Sequence, residues 1–148
     1  MVTSLHNAQR AGAMVATRLS ALYPQVTAAE SKLGAAPADV RAKFDAFKKD
    51  FDAVRVKFGV PAAAGGGRGG GGGGRGGADL ANVLSRAANL KVQVAGAWEA
   101  PSAAALRQSA ESGASLQAAV SEANALLAKV PALNTALKPY DVTLTVPK

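Results

Sequence analysis

Acid–base and metal chemistry near neutral pH usually recruits histidine, and this chain has one. His6 stands in the first turn of a predicted helix, and the nearest acidic residue in sequence is Glu30, roughly seven helical turns away. With no carboxylate nearby to orient it, His6 reads as a surface residue of a fraying helix end. Paired carboxylates are the other route to acid–base chemistry. Asp45, Asp50 and Asp52 are interleaved with Lys43, Lys48, Lys49, Arg55 and Lys57. That spacing suits ion pairs along one helix, Asp45 with Lys49 and Asp52 with Lys48. Glu99 directly follows Trp98, the only tryptophan, where the ring is expected to anchor a turn. The chain has no cysteine, which excludes disulfides, thiolate metal sites and thiol nucleophiles. The chemistry-bearing residues therefore describe a non-enzymatic protein, with no catalytic residue, no metal ligand set and no cofactor expected.

Residues 61–77 read PAAAGGGRGGGGGGRGG. No Gly-Lys-Ser/Thr ends the tract and no strand precedes it, so it is not a phosphate loop, and a G-x-G-x-x-G match is trivial in polyglycine. Arg68 and Arg75 each open an Arg-Gly-Gly tripeptide, a chemistry that stacks on bases and pairs with phosphates. Two arginines neutralise about two phosphates, too few for tight binding at physiological salt. The tract buries no apolar area that offsets the entropy of ordering, and it reads as a disordered linker.

The elements around these residues are helical. Leu5, Ala8, Gly12, Val15, Leu19, Leu22, Val26, Ala29 and Leu33 recur at alternating spacings of three and four, the mark of a helix packed along its length. Gly12 lets a neighbouring helix come close. Pro24 predicts a kink or two helices in line, and Gly34 a left-handed cap. Pro37 and Asp39 open a second helix. Its stripe is Val40, Phe44, Phe47, Phe51, Val54 and Phe58, carrying all four phenylalanines, with charges on the other faces. The stripe is read as core; an exposed aromatic docking face is the competing reading. A third helix carries Leu80, Val83, Ala87, Leu90, Val94 and Trp98, with Asp79 as its cap. A turn at Ala100–Ser102 leads to a fourth, with Ser102 as cap and Leu106, Ser109, Gly113, Leu116, Val120, Ala123, Leu127 and Val130 inward. Pro131 breaks it. Val142, Leu144 and Val146 then alternate like a short extended segment.

The fold expected is all-α: a four-helix bundle made of two helical hairpins, 1–60 and 78–131, joined by the linker 61–77 and followed by a tail, 132–148. All of 1–148 forms one bundle domain. The formal charge of +7 is spread along the chain rather than gathered on one face. No apolar run approaches the ~20 residues of a membrane helix, and MVTSLHNAQR has no apolar core of a signal peptide.

Three features taken together resemble a bacterial family. They are a helical hairpin followed by an almost pure glycine tract, a second hairpin with the turn Ala100-Pro101-Ser102-Ala103-Ala104, and the ending Leu126-Leu127-Ala128-Lys129-Val130-Pro131-Ala132-Leu133-Asn134. The arrangement is similar to the helical C-terminal region that follows the β-propeller of large sortilin-like, BNR-repeat proteins, which often carry a glycosyl-hydrolase name. The resemblance spans nearly the whole chain. It implies an accessory helical domain of a secreted or periplasmic protein. It carries over no catalytic residue, since the propeller and its Asp-box motifs are absent here.

Three functions follow from these readings. The favoured one is a helical accessory or interaction module whose partner is protein, either its own parent propeller or another copy. Its candidate contacts are Phe44, Phe47, Phe51, Phe58 and Trp98. A nucleic-acid binder using Arg68, Arg75, Lys48 and Lys49 is the first alternative, with nucleic acid not the expected partner. A protein that opens onto lipid or a granule surface through the Val40–Phe58 stripe is the second.

Overall fold

The computed structural model describes residues 2–60, 83–95 and 102–148. The linker 61–77, with Arg68 and Arg75, and also Asp79, Leu80, Trp98 and Glu99, lie outside the described residues. The fold is all-α. Four helices form its body: α1 (Val2–Lys32), α2 (Ala38–Lys57), α3 (Val83–Ala95) and α4 (Ala103–Ala128). A short α5 (Val130–Leu137) follows, with 3-10 turns at Leu33–Ala35 and Lys138–Tyr140. Among the described residues there is no strand.

The stripes form one core. Ala8, Val15, Leu19, Leu22, Val26, Ala29 and Leu33 of α1 and its end are buried, as are Phe44, Phe47, Phe51, Val54 and Phe58 of α2 and its end. Ser102 caps α4, its hydroxyl accepting from the Ala105 amide at 3.2 Å.

Side-chain pairs give the register. Glu30 meets Lys48, and seven residues back along α1 Tyr23 lies under Arg55, seven residues on along α2. The two helices are therefore antiparallel. Lys57 meets Glu122 and Asp50 meets Lys129, again seven residues apart in opposite directions, so α2 is antiparallel to α4 as well. These two ion pairs have opposite polarity. A slip of one heptad sets Lys57 against Lys129 or Asp50 against Glu122. The pairs are solvent-exposed and worth at most about 1 kcal/mol each, so they select the register more than they stabilise it.

Gly12 faces both Leu84 and Leu116. These two leucines sit symmetrically about residue 100, which makes α3 and α4 an antiparallel hairpin. On α1, the Arg55 contact at Tyr23 and the Leu84 contact at Gly12 are about 16 Å apart. Thus α2 covers the C-terminal half of α1 and α3 its N-terminal half. Both lie on the single apolar stripe of α1, and both run the same way. The end of α2 and the start of α3 are separated by roughly 10 Å along the axis. Residues 59–82 join those two nearby points, and a span along the full length of a helix is not needed. A chain lacking residues 65–77 is accordingly expected to keep its helical circular dichroism. Its unfolding free energy in urea should stay within about 1 kcal/mol of the parent, since halving a loop changes its closure cost by only about 0.6 kcal/mol. A loss of several kcal/mol would show that the tract is part of the packing.

Four expectations change. The inward face of α4 is Ser109, Ser112, Leu116, Ala119, Ala123, Leu126 and Leu127, with Val130 buried at the start of α5, whereas Leu106 is exposed and Gly113 and Val120 lie at its border. The reason is that α4 packs against α1, α2 and α3 together, and the small Ser112 and Ala119 permit that close approach. Helix α1 runs unbroken through Pro24. The Ala21 carbonyl, next to the turn that the proline disturbs, accepts from the Gln25 carboxamide at 3.1 Å. Gly34 sits inside a 3-10 turn without positive φ, and the left-handed glycine is Gly59, after α2. Pro131 does not only break a helix: it occupies the first turn of α5, where its missing N–H costs nothing. The second hairpin's helices therefore give way to α5 at Val130, one residue before the expected boundary.

Candidate functional site

The phenylalanines lie in the core and do not form an exposed docking face. Phe44, Phe51 and Phe58 are buried within it, and only Phe47 also floors a surface groove. Phe51 stands at the centre of an aromatic row, 6.3 Å from the ring centroid of Tyr23 and 6.3 Å from that of Phe47. Arg55 covers the outer face of this row. Its guanidinium carbon lies 4.9 Å from the Tyr23 centroid, its Nε donates to Asp52 at 2.6 Å, and another guanidinium nitrogen donates to the Val60 carbonyl at 3.3 Å. The arginine thus ties the last turn of α2 to α1 and to the chain beyond the helix.

The expected Asp45–Lys49 and Asp52–Lys48 pairs do not form: Lys48 and Asp50 pair with other helices, and Asp52 pairs along α2 with Arg55. Lys48 bonds Glu30 at 2.6 Å rather than Asp52, and Asp52 bonds Arg55. Asp50 takes Lys129, and Glu122 takes Lys57. Spacing alone missed this because Lys48 and Asp50 face different neighbours, α1 and the end of α4. The carboxylates are used as cross-braces, which is a structural role. Among the described residues, no group of three or more His, Cys, Asp or Glu comes together as a metal site. His6 is exposed, as expected for the first turn.

Lys48, one of the candidate nucleic-acid contacts, is held by the Glu30 carboxylate. That hydrogen bond, with the nearby charges of Glu30, Asp52 and Asp45, raises its pKa above the ordinary lysine value of 10.5. A raised lysine pKa contributes stability that is present below the unfolded pKa and lost as pH rises through the folded one. The expected result is a small loss of stability above about pH 10.5 that Lys48→Met abolishes, with the variant itself costing less than about 1 kcal/mol at pH 7. Urea titrations across pH 8–11.5 measure both. Lys49 is exposed and faces outward beside it.

The groove floored by Phe47 lies between α2 and α5. It has a volume of about 430 Å³ and is lined by Ala46, Phe47, Ala132, Leu133 and Ala136, with Lys43, Asp50 and Lys129 at the rim. Its walls are alanines because alanine on both facing turns leaves a shallow trough over the core. From sequence, Phe47 was visible as an apolar residue on the stripe. The groove was not, since it depends on α5, and Pro131 reads from sequence as the end of a helix followed by a tail.

A second constellation holds the segment after α5. Asp141 adopts a left-handed conformation, φ 54, and turns the chain back along the bundle. Val142 and Leu144 are buried, Val146 is half-buried, and Thr143 and Thr145 are exposed, the alternation expected of an extended segment. The Asn134 carboxamide donates to the Leu144 carbonyl and accepts from the Leu144 amide, both at 2.8 Å. Gln25 does the same for Thr145, at 3.0 and 2.6 Å. Lys32 donates to the Asp141 carbonyl at 3.2 Å.

No helix among the described residues is long and apolar enough to cross a membrane. Compared with protein-family models, curated proteins and solved structures, the chain matches none.

Proposed function

We propose that this chain is a non-enzymatic helical interaction module, an accessory part of a larger secreted or periplasmic protein. The observation that carries the interaction reading is the α2–α5 groove. It is an apolar trough floored by Phe47 and walled by alanines on two helices, with Lys43 and the Lys129–Asp50 pair at its lip. Such a surface suits the apolar side chains of a protein partner, with an acidic group beside them to complement Lys43. The cross-braced acidic residues support the same reading, since they are committed to holding helices in register. The accessory role rests on the resemblance of the glycine tract and the Pro131-Ala132-Leu133-Asn134 ending to propeller-associated helical regions.

A photo-cross-linking residue at Ala132, in the full chain in its host, tests the groove. One discrete protein adduct is expected, and it should fall at least tenfold when Ala46→Glu fills the trough with charge and repels an acidic rim. The same probe at the exposed Ala104, on the far end of α4, should give no adduct. Equal adducts at both positions, or none at Ala132, would contradict the groove as the contact.

The nucleic-acid reading keeps only Lys49 as an unengaged candidate among its described residues, because Lys48 is bonded to Glu30. The lipid reading requires the Val40–Phe58 stripe to leave the core first.

A further inference from the structure

We propose that residues 142–146 exchange between two copies of this chain, each copy's segment seating in the other's cleft between α1 and α5. The proposal stands apart from the α2–α5 groove and either can fail alone. It begins with how the segment is held. Leu144 and Thr145 are consecutive residues of an extended chain, and all four of their backbone hydrogen-bonding groups are taken by side chains. Asn134 serves one side and Gln25 the other. A carboxamide presents an acceptor and a donor in one plane, as the backbone of a neighbouring strand does. The two side chains thus act as both flanking strands of a sheet that is not there. Gln25 uses both donors of its amide, the second bond going to the Ala21 carbonyl. The cleft below takes Val142 and Leu144.

Nothing in this set of contacts requires the segment to belong to the same chain. The bonds are to backbone, and the partners are 10 and 120 residues away in sequence. What directs the segment into its own cleft is the single residue Asp141. It holds φ 54, a region that a residue with a Cβ rarely adopts, directly after the turn containing Pro139. If Asp141 relaxes to an extended conformation, residues 142–148 leave the bundle. The same four hydrogen bonds to Asn134 and Gln25 are then open to the segment of a second copy, and reciprocal exchange closes a two-fold dimer. A strained hinge ahead of an exchangeable element favours that outcome.

The test uses the full chain and measures mass by light scattering from about 10 to 500 µM. Asp141→Gly, which makes the left-handed turn easy, is expected to be monomeric throughout. Asp141→Pro, which forbids it, is expected to dimerise with a dissociation constant at least tenfold lower than the wild type. Adding Gln25→Ala and Asn134→Ala to the proline variant should return it to monomer, with helical circular dichroism retained in every case. A proline variant that stays monomeric with its helices intact overturns the proposal. So does a dimer that survives loss of both carboxamides. If the proline variant does not fold, Asp141→Val disfavours the same turn, and its mass decides between the two outcomes.

Discussion

Phe51→Ala is expected to cost about 3–5 kcal/mol of unfolding free energy. The ring is wholly buried, and it lies between Tyr23 of α1 and Phe47 of its own helix. Truncation removes the transfer free energy of the ring and leaves a cavity. Helices α1 and α2 are cross-braced at Glu30–Lys48 and by Arg55 over Tyr23, so they cannot fully collapse into it. A domain of this size has a total stability of about 5–15 kcal/mol, so the variant should be close to unfolding at physiological temperature. Urea denaturation followed by circular dichroism measures it. Val56→Ala, on the exposed side of the same helix, is the control and should change stability by no more than about 0.5 kcal/mol. Equal effects for the two would place the phenylalanine stripe against solvent or a partner.

The second large effect is expected at Gly12. A Cβ there lies 2.6 Å from Leu84 Cδ2 and 3.0 Å from Leu116 Cδ1, so α1, α3 and α4 meet over a missing side chain. Gly12→Leu must displace both leucines, and overpacking of this kind costs about 1–3 kcal/mol or more. The gain of about 1 kcal/mol in helix propensity offsets only part of it. The damage should be local. Apart from those two leucines, the buried residues within two turns of this contact on the three helices include the small Ala8, Ala87, Ser109 and Ser112, whereas the phenylalanines lie at the other half of the bundle. Amide exchange in α3 is therefore expected to accelerate at least tenfold while α2 keeps its protection. Gly12→Ala asks the tip of Leu84 to move and that of Leu116 to give slightly, and its propensity gain should offset much of the cost. If Gly12→Leu were as stable as the parent, α3 would not be packed where Gly12 faces it.

The residues that made the fold legible were those with a strict period and large side chains. The α2 stripe, from Val40 to Phe58, and the α1 stripe, from Ala8 to Leu33, are buried or half-buried as their spacing predicts. Gly12 was legible as a place of close approach because glycine inside an otherwise regular helix has few other uses. The α4 stripe was displaced because Ala, Ser and Gly fill more than half of the positions of 103–128, so periodicity did little to separate Ser112 and Ala119 from Gly113 and Val120. Pairing of charges failed for another reason. Lys48 lies three and four residues from Asp45 and Asp52, both within helical reach, and only packing brings Glu30 beside it. The order of α2 and α3 along one side of α1 was hidden by the glycine tract, whose length says nothing about how close its ends lie. Of the candidate site, Phe47 was in view, but the wall supplied by α5 was not. The clasp of Gln25 and Asn134 had no sequence signal, since carboxamides that bind backbone follow no spacing rule.

The proposed role, an accessory module serving a larger protein, is open to a test with an antibody against α2 on fractionated host cells. The expected band is a polypeptide well above the 14.8 kDa of this chain, found in the periplasm or the medium. A band near 14.8 kDa confined to the cytoplasm would contradict it.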